Sequence, residues 1–332
     1  MKILITTAIY PPEIGGPSFY AEGLKNAFEK QGHDVQVVLF GKLKKFPTGV
    51  RHLLYALKVL RAARGAEAIV TLDTFSTAVP VGLVAPFIRA PIICRVGGDF
   101  VWEQYVERTR DLVPLPSFYE RRAVWNAKER LSFRLIRFAL SHMQVVFSSS
   151  WQRDIWRKPY ALIDTRVGVI ENVIPARIAA LPSQRKNFLL LGRQLILKNA
   201  DAFSRAFEEA KKKLPRIELD EGLVPRDELF ERLKSAYAVA LPSVSDVTPN
   251  LIIESITCGK PFLLTKYSAY AERFKSFGVI VDPLSQEDMT RGILELADAA
   301  VYERLSKNIV AFADVRTYDD IAVEFMRLIK AI

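Results

Sequence analysis

The stretch Ile3-Leu4-Ile5-Thr6-Thr7-Ala8-Ile9-Tyr10-Pro11-Pro12-Glu13-Ile14-Gly15-Gly16-Pro17, running on through Ser18–Gln31 to Gly32, decides the fold class. Ile3–Thr7 is a short, unbroken apolar run, the pattern of a strand buried on both faces. Pro17–Gln31 reads as a helix, and Gly32 stands where a C′ glycine ends one. Val35–Phe40 reads as the next strand. A strand, a loop with glycines, a helix and a second strand call for parallel pairing.

Outward from this opening the alternation continues. Arg51–Arg64 reads as an amphipathic helix, Ala68–Leu72 as a strand, the neighbourhood of Thr77–Ile88 as an apolar helix and Pro91–Val96 as a strand. After a long irregular and helical stretch, Met143–Ser148 and Val167–Ile170 read as strands. The second half restarts the pattern. Phe188–Leu191 is a strand, Ala200–Lys213 and Asp227–Ser235 are helices, and Tyr237–Leu241 is a strand. A helix from Pro249 follows, then the strands Pro261–Thr265 and Val279–Val281 and helices near Gln286–Ala297 and Val301–Phe312. The expected architecture is α/β: two Rossmann-like, doubly wound parallel-sheet domains facing a central cleft, the usual ligand position in open sheets. The expected boundaries are residues 1–172 for the first domain, 173–186 for a linker with Pro175 and Pro182, and 187–314 for the second.

Composition fits this reading. At 332 residues, 50% hydrophobic and 25% charged, the chain suits two globular domains and excludes disorder. Phe75–Cys94 is apolar in bulk, but Pro80, Pro86, Pro91 and Arg89 break it, so it reads as a buried helix, a turn and a strand, not as a membrane span. Met1 leads straight into a strand, so no leader is expected, and Cys94 and Cys258 are read as reduced cytosolic thiols. Three scattered histidines, His33, His52 and His142, and no Cys-x-x-Cys pair argue against a metal site. A net charge of +10 favours anionic partners.

Three segments carry candidate chemistry. The loop Tyr10–Pro17 places Gly15 and Gly16 before a helix, where backbone approaches a ligand closely; a plain turn needs the same residues. In Leu191-Gly192-Arg193-Gln194-Leu195-Ile196-Leu197-Lys198, two cations follow the first strand of the second domain. A departing diphosphate needs such charge, although on spacing alone solvated cations in a loop are the stronger reading. In Pro242–Glu254, Thr248 reads as an N-cap and Pro249 as the first helical residue, which leaves the N–H groups of Asn250 and Leu251 free for phosphate. Asp246 and Glu254 suit sugar or ribose hydroxyls.

These segments, in this order and spacing, resemble the retaining nucleotide-sugar glycosyltransferases of the GT-B fold, group 1 or family four. The opening resembles that family's Pro-Pro-x-x-Gly-Gly loop. Ser149–Asp154 and Val169–Asn172 are similar to segments closing its first domain, Gly192-Arg193 with Lys198 resembles its diphosphate-binding pair, and Asp246 to Glu254 resembles its Glu-x7-Glu motif. Cys258-Gly259-Lys260-Pro261 follows as in relatives.

The resemblance implies transfer of a sugar from a nucleoside-diphosphate sugar to a hydroxyl acceptor, with retention, without metal or other cofactor. Arg193 and Lys198 would neutralise the leaving group, Asp246 would contact the donor sugar, and Glu254 would hold the ribose. Asn250 and Leu251 would offer backbone amides, Gly15 and Gly16 would sit near diphosphate and acceptor, and Asp99 would fall on the acceptor side. It also implies that the last helix, Thr317–Ile332, crosses back to the first domain. Three departures stand out: Asp246 replaces a Glu, Gly98 replaces a His before Asp99, and the second domain is shortened, because Arg216–Asp220 runs almost directly into Val224-Pro225.

Lys42–Arg64 holds seven basic residues and no acid, and its Leu53, Leu54, Leu57 and Leu60 are expected to pack on the sheet. Arg121–Arg137, with Trp125, Phe133 and nearby Phe138, forms a second basic stretch. Such surfaces suit an anionic leaflet carrying a lipid-linked acceptor, and hence a cytoplasmic protein peripheral on the inner face of the cell membrane. Nucleic acid is ranked below this, because no DNA- or RNA-binding signature is present. The rival functions are a nucleotide-sugar epimerase of the same fold and a non-catalytic nucleotide-sugar-binding protein.

Overall fold

The computed structural model describes residues 1–13, 15–43, 45–178, 183 and 185–332, with 42, 226 and 227 described by backbone only. Ile14 of the glycine loop, Lys44 of the first basic stretch, and residues 179–182 and 184 of the expected linker lie outside the described residues. The chain divides into two compact units. The first comprises Met1–Trp102, Arg121–Val173 and Thr317–Ile332; the second comprises Glu103–Glu120 and Ile174–Arg316.

In chain order the elements up to residue 169 are β1 (Lys2–Thr7), α1 (Gly16–Lys30), β2 (Asp34–Leu39), α2 (Thr48–Ala62), β3 (Ala68–Thr71), α3 (Ala78–Val84), β4 (Ile92–Val96), α4 (Phe100–Thr109), α5 (Leu115–Phe118), α6 (Ala127–Leu140), β5 (Gln144–Phe147), α7 (Ser150–Arg157) and β6 (Val167–Val169). The first unit's sheet has six parallel strands in the order β2-β1-β3-β4-β5-β6. The rest of the chain supplies β7 (Lys186–Leu191), α8 (Ala200–Lys213), β8 (Ile217–Gly222), α9 (Arg226–Ser235), β9 (Ala238–Leu241), α10 (Asn250–Thr257), β10 (Phe262–Thr265), α11 (Ala269–Arg273), β11 (Gly278–Val281), α12 (Gln286–Ala297), α13 (Ala299–Ala311) and α14 (Tyr318–Ala331). Its sheet has five parallel strands in the order β11-β10-β9-β7-β8.

The apolar runs become central strands because both faces are covered. Ile3, Ile5, Val70 and Ile93 pack under α1 and α14, with Tyr20, Leu24, Phe28, Ile321 and Phe325 above them. Thr317 caps α14 in a reciprocal box with Asp320, and the Tyr318 hydroxyl donates to the Phe19 carbonyl at 3.3 Å, so the last helix belongs to this unit's core. Gly32, at φ +81°, takes the left-handed turn that ends α1. In the second unit Phe188, Phe203, Phe207 and Leu263 fill one side of the sheet, and Leu189, Val239, Ile252 and Phe262 the other. Among the described residues no helix is long and apolar enough to cross a membrane.

Three local expectations are corrected. The side of α2 that packs inward is His52, Tyr55, Ala56 and Val59, with the Tyr55 hydroxyl donating to the Val38 carbonyl at 2.7 Å. Leu53, Leu54 and Leu57 face out. Both sets share helical spacing, and the one with a buried aromatic anchored to β2 takes the sheet. The second correction concerns α10: Thr248 is not its cap. Pro249 holds that position without a side-chain cap bond, and the helix starts at Asn250. The third is β8, a strand that the polar sequence Glu218-Leu219-Asp220-Glu221 hides. It lies at the sheet edge, where only Ile217 is buried. From β8 the chain enters α9 after only Leu223, Val224 and Pro225.

Candidate active site

The strand order of the second unit fixes where a site can form. From β7 the chain moves to β8 on one side, and from β9 it moves to β10 on the other. The loops leaving β7 and β9 therefore part at a topological switch point, where open α/β sheets leave a crevice beyond their strand C-termini. These are the loops of Gly192–Asn199 and Pro242–Pro249.

Gly192 adopts φ +151°, and its N–H reaches the Gly222 carbonyl at 3.0 Å. A 3₁₀ turn follows at Ile196–Lys198 and ends on Asn199 in the left-handed region. The Asn199 amide nitrogen donates to the carbonyls of Pro242 at 3.3 Å and Pro283 at 2.7 Å. The Val244 N–H reaches the Leu197 carbonyl at 2.8 Å. The two switch-point loops are thus stitched together by backbone and amide bonds.

That stitching joins two residues singled out from sequence. Lys198 Nζ donates to Asp246 Oδ2 at 2.8 Å, with the side chains 28% and 19% exposed. Asp246 is fixed by its own N–H on the Tyr267 carbonyl at 3.1 Å. Arg193 is exposed on the same loop and makes no ion pair among the described residues. Arg193 and Lys198 border a cavity of about 1020 Å³, together with Gly192, Glu107, Arg110 and Glu221. Asn250, Leu251 and Glu254 are not among its bordering residues. Asn250 is exposed and Leu251 half-buried at the start of α10, while Glu254 is buried among Ile252, Ile253 and Ile256.

Glu107 has no motif to announce it. Its carboxylate accepts the N–H groups of Ile196 at 3.2 Å and Leu197 at 3.0 Å. The Leu115 N–H, farther along the same segment, reaches Ser245 Oγ at 3.0 Å.

In the first unit, Gly15 caps α1 and accepts the N–H groups of Ser18 and Phe19. A Cβ on Gly15 would meet Ile9 Cδ1 at 3.0 Å, so a side chain there needs Ile9 to give way. Gly16 opens the helix, ahead of Pro17. Asp99 is buried: Oδ1 accepts the Trp102 N–H at 3.0 Å, capping α4, and Oδ2 accepts Trp156 Nε1–H at 2.8 Å. Sequence reasoning also passed over Arg95. It is buried in β4 with its guanidinium 4.0 Å over the Tyr20 ring, and it donates to Asn172 Oδ1. A charge inside Ile92–Val96 was the available signal.

The helical layer α2-α3-α6 covers one face of the first sheet, α3 packing against both neighbours. Its exposed residues combine Leu53 (59%), Leu54, Leu57 (45%), Leu83, Leu131 and Phe138 with Lys58, Arg61, Lys128, Arg134 and Arg137, and the turn after α3 adds Phe87 (75%) and Arg89. Glu129 is the one acid within these three helices, and it is buried in the capping box of α6.

By sequence the chain matches no protein-family model and no curated protein. Its structure is similar to solved ones. A sucrose-phosphate synthase from Thermosynechococcus elongatus superposes with TM-score 0.75 at 14% identity, covering 100% of this chain and 99% of that one. HepE from Anabaena, solved with UDP-glucose, gives 0.71 at 14%, covering 100% of both chains. WaaG, a glycosyltransferase of lipopolysaccharide biosynthesis, gives 0.68 at 16%, covering 99% of this chain and 100% of that one. The chain has the GT-B fold. At these identities the likeness establishes the fold, and residue roles rest on geometry.

Proposed function

We propose that this protein is a retaining glycosyltransferase that moves a sugar from a nucleoside-diphosphate sugar to a hydroxyl acceptor without a metal or other cofactor. The observation that carries the reading is the pairing of Lys198 with Asp246 across the two switch-point loops, with Lys198 and Arg193 both bordering the cavity. As the bond from the sugar's anomeric carbon to phosphate breaks, negative charge grows on the departing diphosphate. In this reading Arg193 and Lys198 meet that charge. The acceptor oxygen forms the new bond to the anomeric carbon, and its proton passes to the diphosphate oxygen that leaves. Asp246 orients Lys198 and contacts the donor sugar. Glu254 is assigned to the ribose, the N–H groups of Asn250 and Leu251 to phosphate, and Gly15 and Gly16 to substrate approach. The buried, doubly bonded carboxylate of Asp99 supports an organising role at the end of β4 in place of acceptor contact. None of the three histidines borders the cavity, which favours transfer over epimerisation.

The proposal extends to the acceptor. The α2-α3-α6 layer joins exposed leucine and phenylalanine to arginine and lysine with no exposed acid on its helices, the chemistry of a surface that rests on an anionic leaflet. A lipid-linked acceptor at the inner face of the cell membrane follows, with the protein cytoplasmic and peripheral. Two experiments test the reading. Release of nucleoside diphosphate is measured across UDP-, GDP-, ADP- and dTDP-sugars with vesicle-borne acceptors; no release from any donor refutes the transferase. Flotation with vesicles is expected to need acidic lipid and to fall when Leu53, Leu54 and Leu57 are changed to serine. Equal binding to neutral vesicles, or no effect of the serines, refutes the membrane surface.

A further inference from the structure

The segment Glu103–Glu120 lies far from the rest of the second unit in sequence, yet it reaches both switch-point loops. Glu107 takes the N–H groups of Ile196 and Leu197, and Leu115 donates to Ser245. The segment is braced internally. The Tyr105 hydroxyl donates to Asp111 Oδ2 at 2.9 Å, Thr109 Oγ1 to the Tyr105 carbonyl at 2.8 Å, and the Asp111 N–H to Thr109 Oγ1 at 3.1 Å. Tyr105 also packs on Phe118, with ring centroids 5.3 Å apart. A stiff bracket therefore presents a carboxylate to the two residues that precede Lys198.

We infer that Glu107 is a positioning residue: by holding Ile196 and Leu197 it sets where Lys198 meets Asp246 and where Lys198 and Arg193 face a phosphate group in the cavity. Only the identity of the ligand rests on the transferase reading; the ordering of the loop does not. The chemistry supports a specific need for carboxylate. Its two oxygens take two adjacent N–H groups at once, and bonds from neutral N–H to a charged acceptor are stronger than bonds between neutral groups. A glutamine offers one acceptor and turns an N–H₂ toward the other donor. The Gly192–Asn199 loop that Glu107 holds carries both cations, so loss of the carboxylate acts on charge placement first and on the sheet core last.

The test is hydrogen exchange on the free full-length protein. In Glu107→Ala, peptides covering 192–199 are expected to exchange about tenfold faster or more, from the loss of two charge-assisted bonds. Glu107→Gln should lie between, and peptides of β9, β10 and α12 should keep their protection, which shows that the variants fold. Calorimetry with inorganic pyrophosphate and with UDP supplies the second readout. If Glu107 acts through Lys198, Glu107→Ala changes affinity in the wild-type background and has little effect once Lys198→Ala is present. Unchanged exchange at 192–199, or additive effects of the two substitutions, overturns the inference. If the wild type binds neither pyrophosphate nor UDP, the diphosphate assignment fails, and exchange alone decides the role of Glu107.

Discussion

The Lys198–Asp246 pair predicts that two neighbouring substitutions move diphosphate affinity in opposite directions. In the free protein Asp246 already occupies Lys198, so an incoming diphosphate must compete for the ammonium. Asp246→Asn removes the competitor and keeps the shape. With side chains 28% and 19% exposed, the pair sits at the strong end of surface ion pairs, worth about 1 kcal/mol. Releasing Lys198 should therefore tighten diphosphate binding by up to about fivefold. Lys198→Ala removes a charge-assisted contact worth about 1.5–3 kcal/mol, so affinity should fall roughly ten- to a hundredfold. Turnover should fall in both: by about 10²–10³ for Lys198→Ala, which loses stabilisation that grows as the bond breaks, and for Asp246→Asn because the sugar loses its contact. The assay is calorimetry with the nucleoside diphosphate that stabilises the wild type best, alongside donor turnover. Weakening of diphosphate binding by Asp246→Asn to the same degree as Lys198→Ala refutes the competition and makes Asp246 a support that Lys198 cannot do without.

Arg193→Ala should lower turnover by a similar factor to Lys198→Ala without changing the melting temperature, since the side chain is exposed and makes no ion pair among the described residues; a parallel loss of stability would contradict that. Phe325→Ala, at a fully buried position of α14, should cost about 3–5 kcal/mol in denaturant unfolding of the first unit, and a loss under 1 kcal/mol would place α14 outside its core. Asp99→Ala leaves the Trp156 Nε1–H and the Trp102 N–H without their carboxylate, so stability should drop by about 2–4 kcal/mol, measured by chemical denaturation with turnover followed in parallel. Burial pushes the Cys94 thiol up and the Cys258 thiol up to about 11. Both are buried and unbridged, so at pH 8 the native protein should label at least about tenfold more slowly than the urea-unfolded chain, and equal rates would refute the packing.

Much of this structure was legible because parallel strands buried on both faces leave unmistakable apolar runs. Ala200–Lys213 and Gln286–Ala297 are helices at the bounds their sequences suggest, flanked by turn or cap residues on each side. The strand β8 was hidden for the opposite reason. An edge strand buries one residue in six and needs no apolar pattern, so Glu218-Leu219-Asp220-Glu221 looks like a surface loop. Helix α2 exposed a different limit. Leu53, Leu54 and Leu57 recur at the same helical spacing as Tyr55, Ala56 and Val59, and hydrophobicity alone prefers the leucines for the core. The choice turned on one tyrosine hydroxyl reaching the Val38 carbonyl, a tertiary bond that periodicity does not encode.

The candidate site divides along the same line between local and non-local information. Arg193, Lys198 and Asp246 were found because each follows a strand by a few residues, and strand C-terminal ends are where a doubly wound sheet places its ligands. That rule locates a residue relative to its own strand. It does not say which loops become neighbours; that depends on strand order, and the order β10-β9-β7-β8 is what puts Lys198 against Asp246. Glu107 required more still. It sits 89 residues from Ile196, on a helix with no loop motif around it, and its importance arises only when Glu103–Glu120 folds with the second unit. A carboxylate that accepts two backbone N–H groups has no spacing signature, because its partners are amides that every residue but proline carries. Such residues form the structural half of a site, and tertiary contacts reveal them where motifs do not.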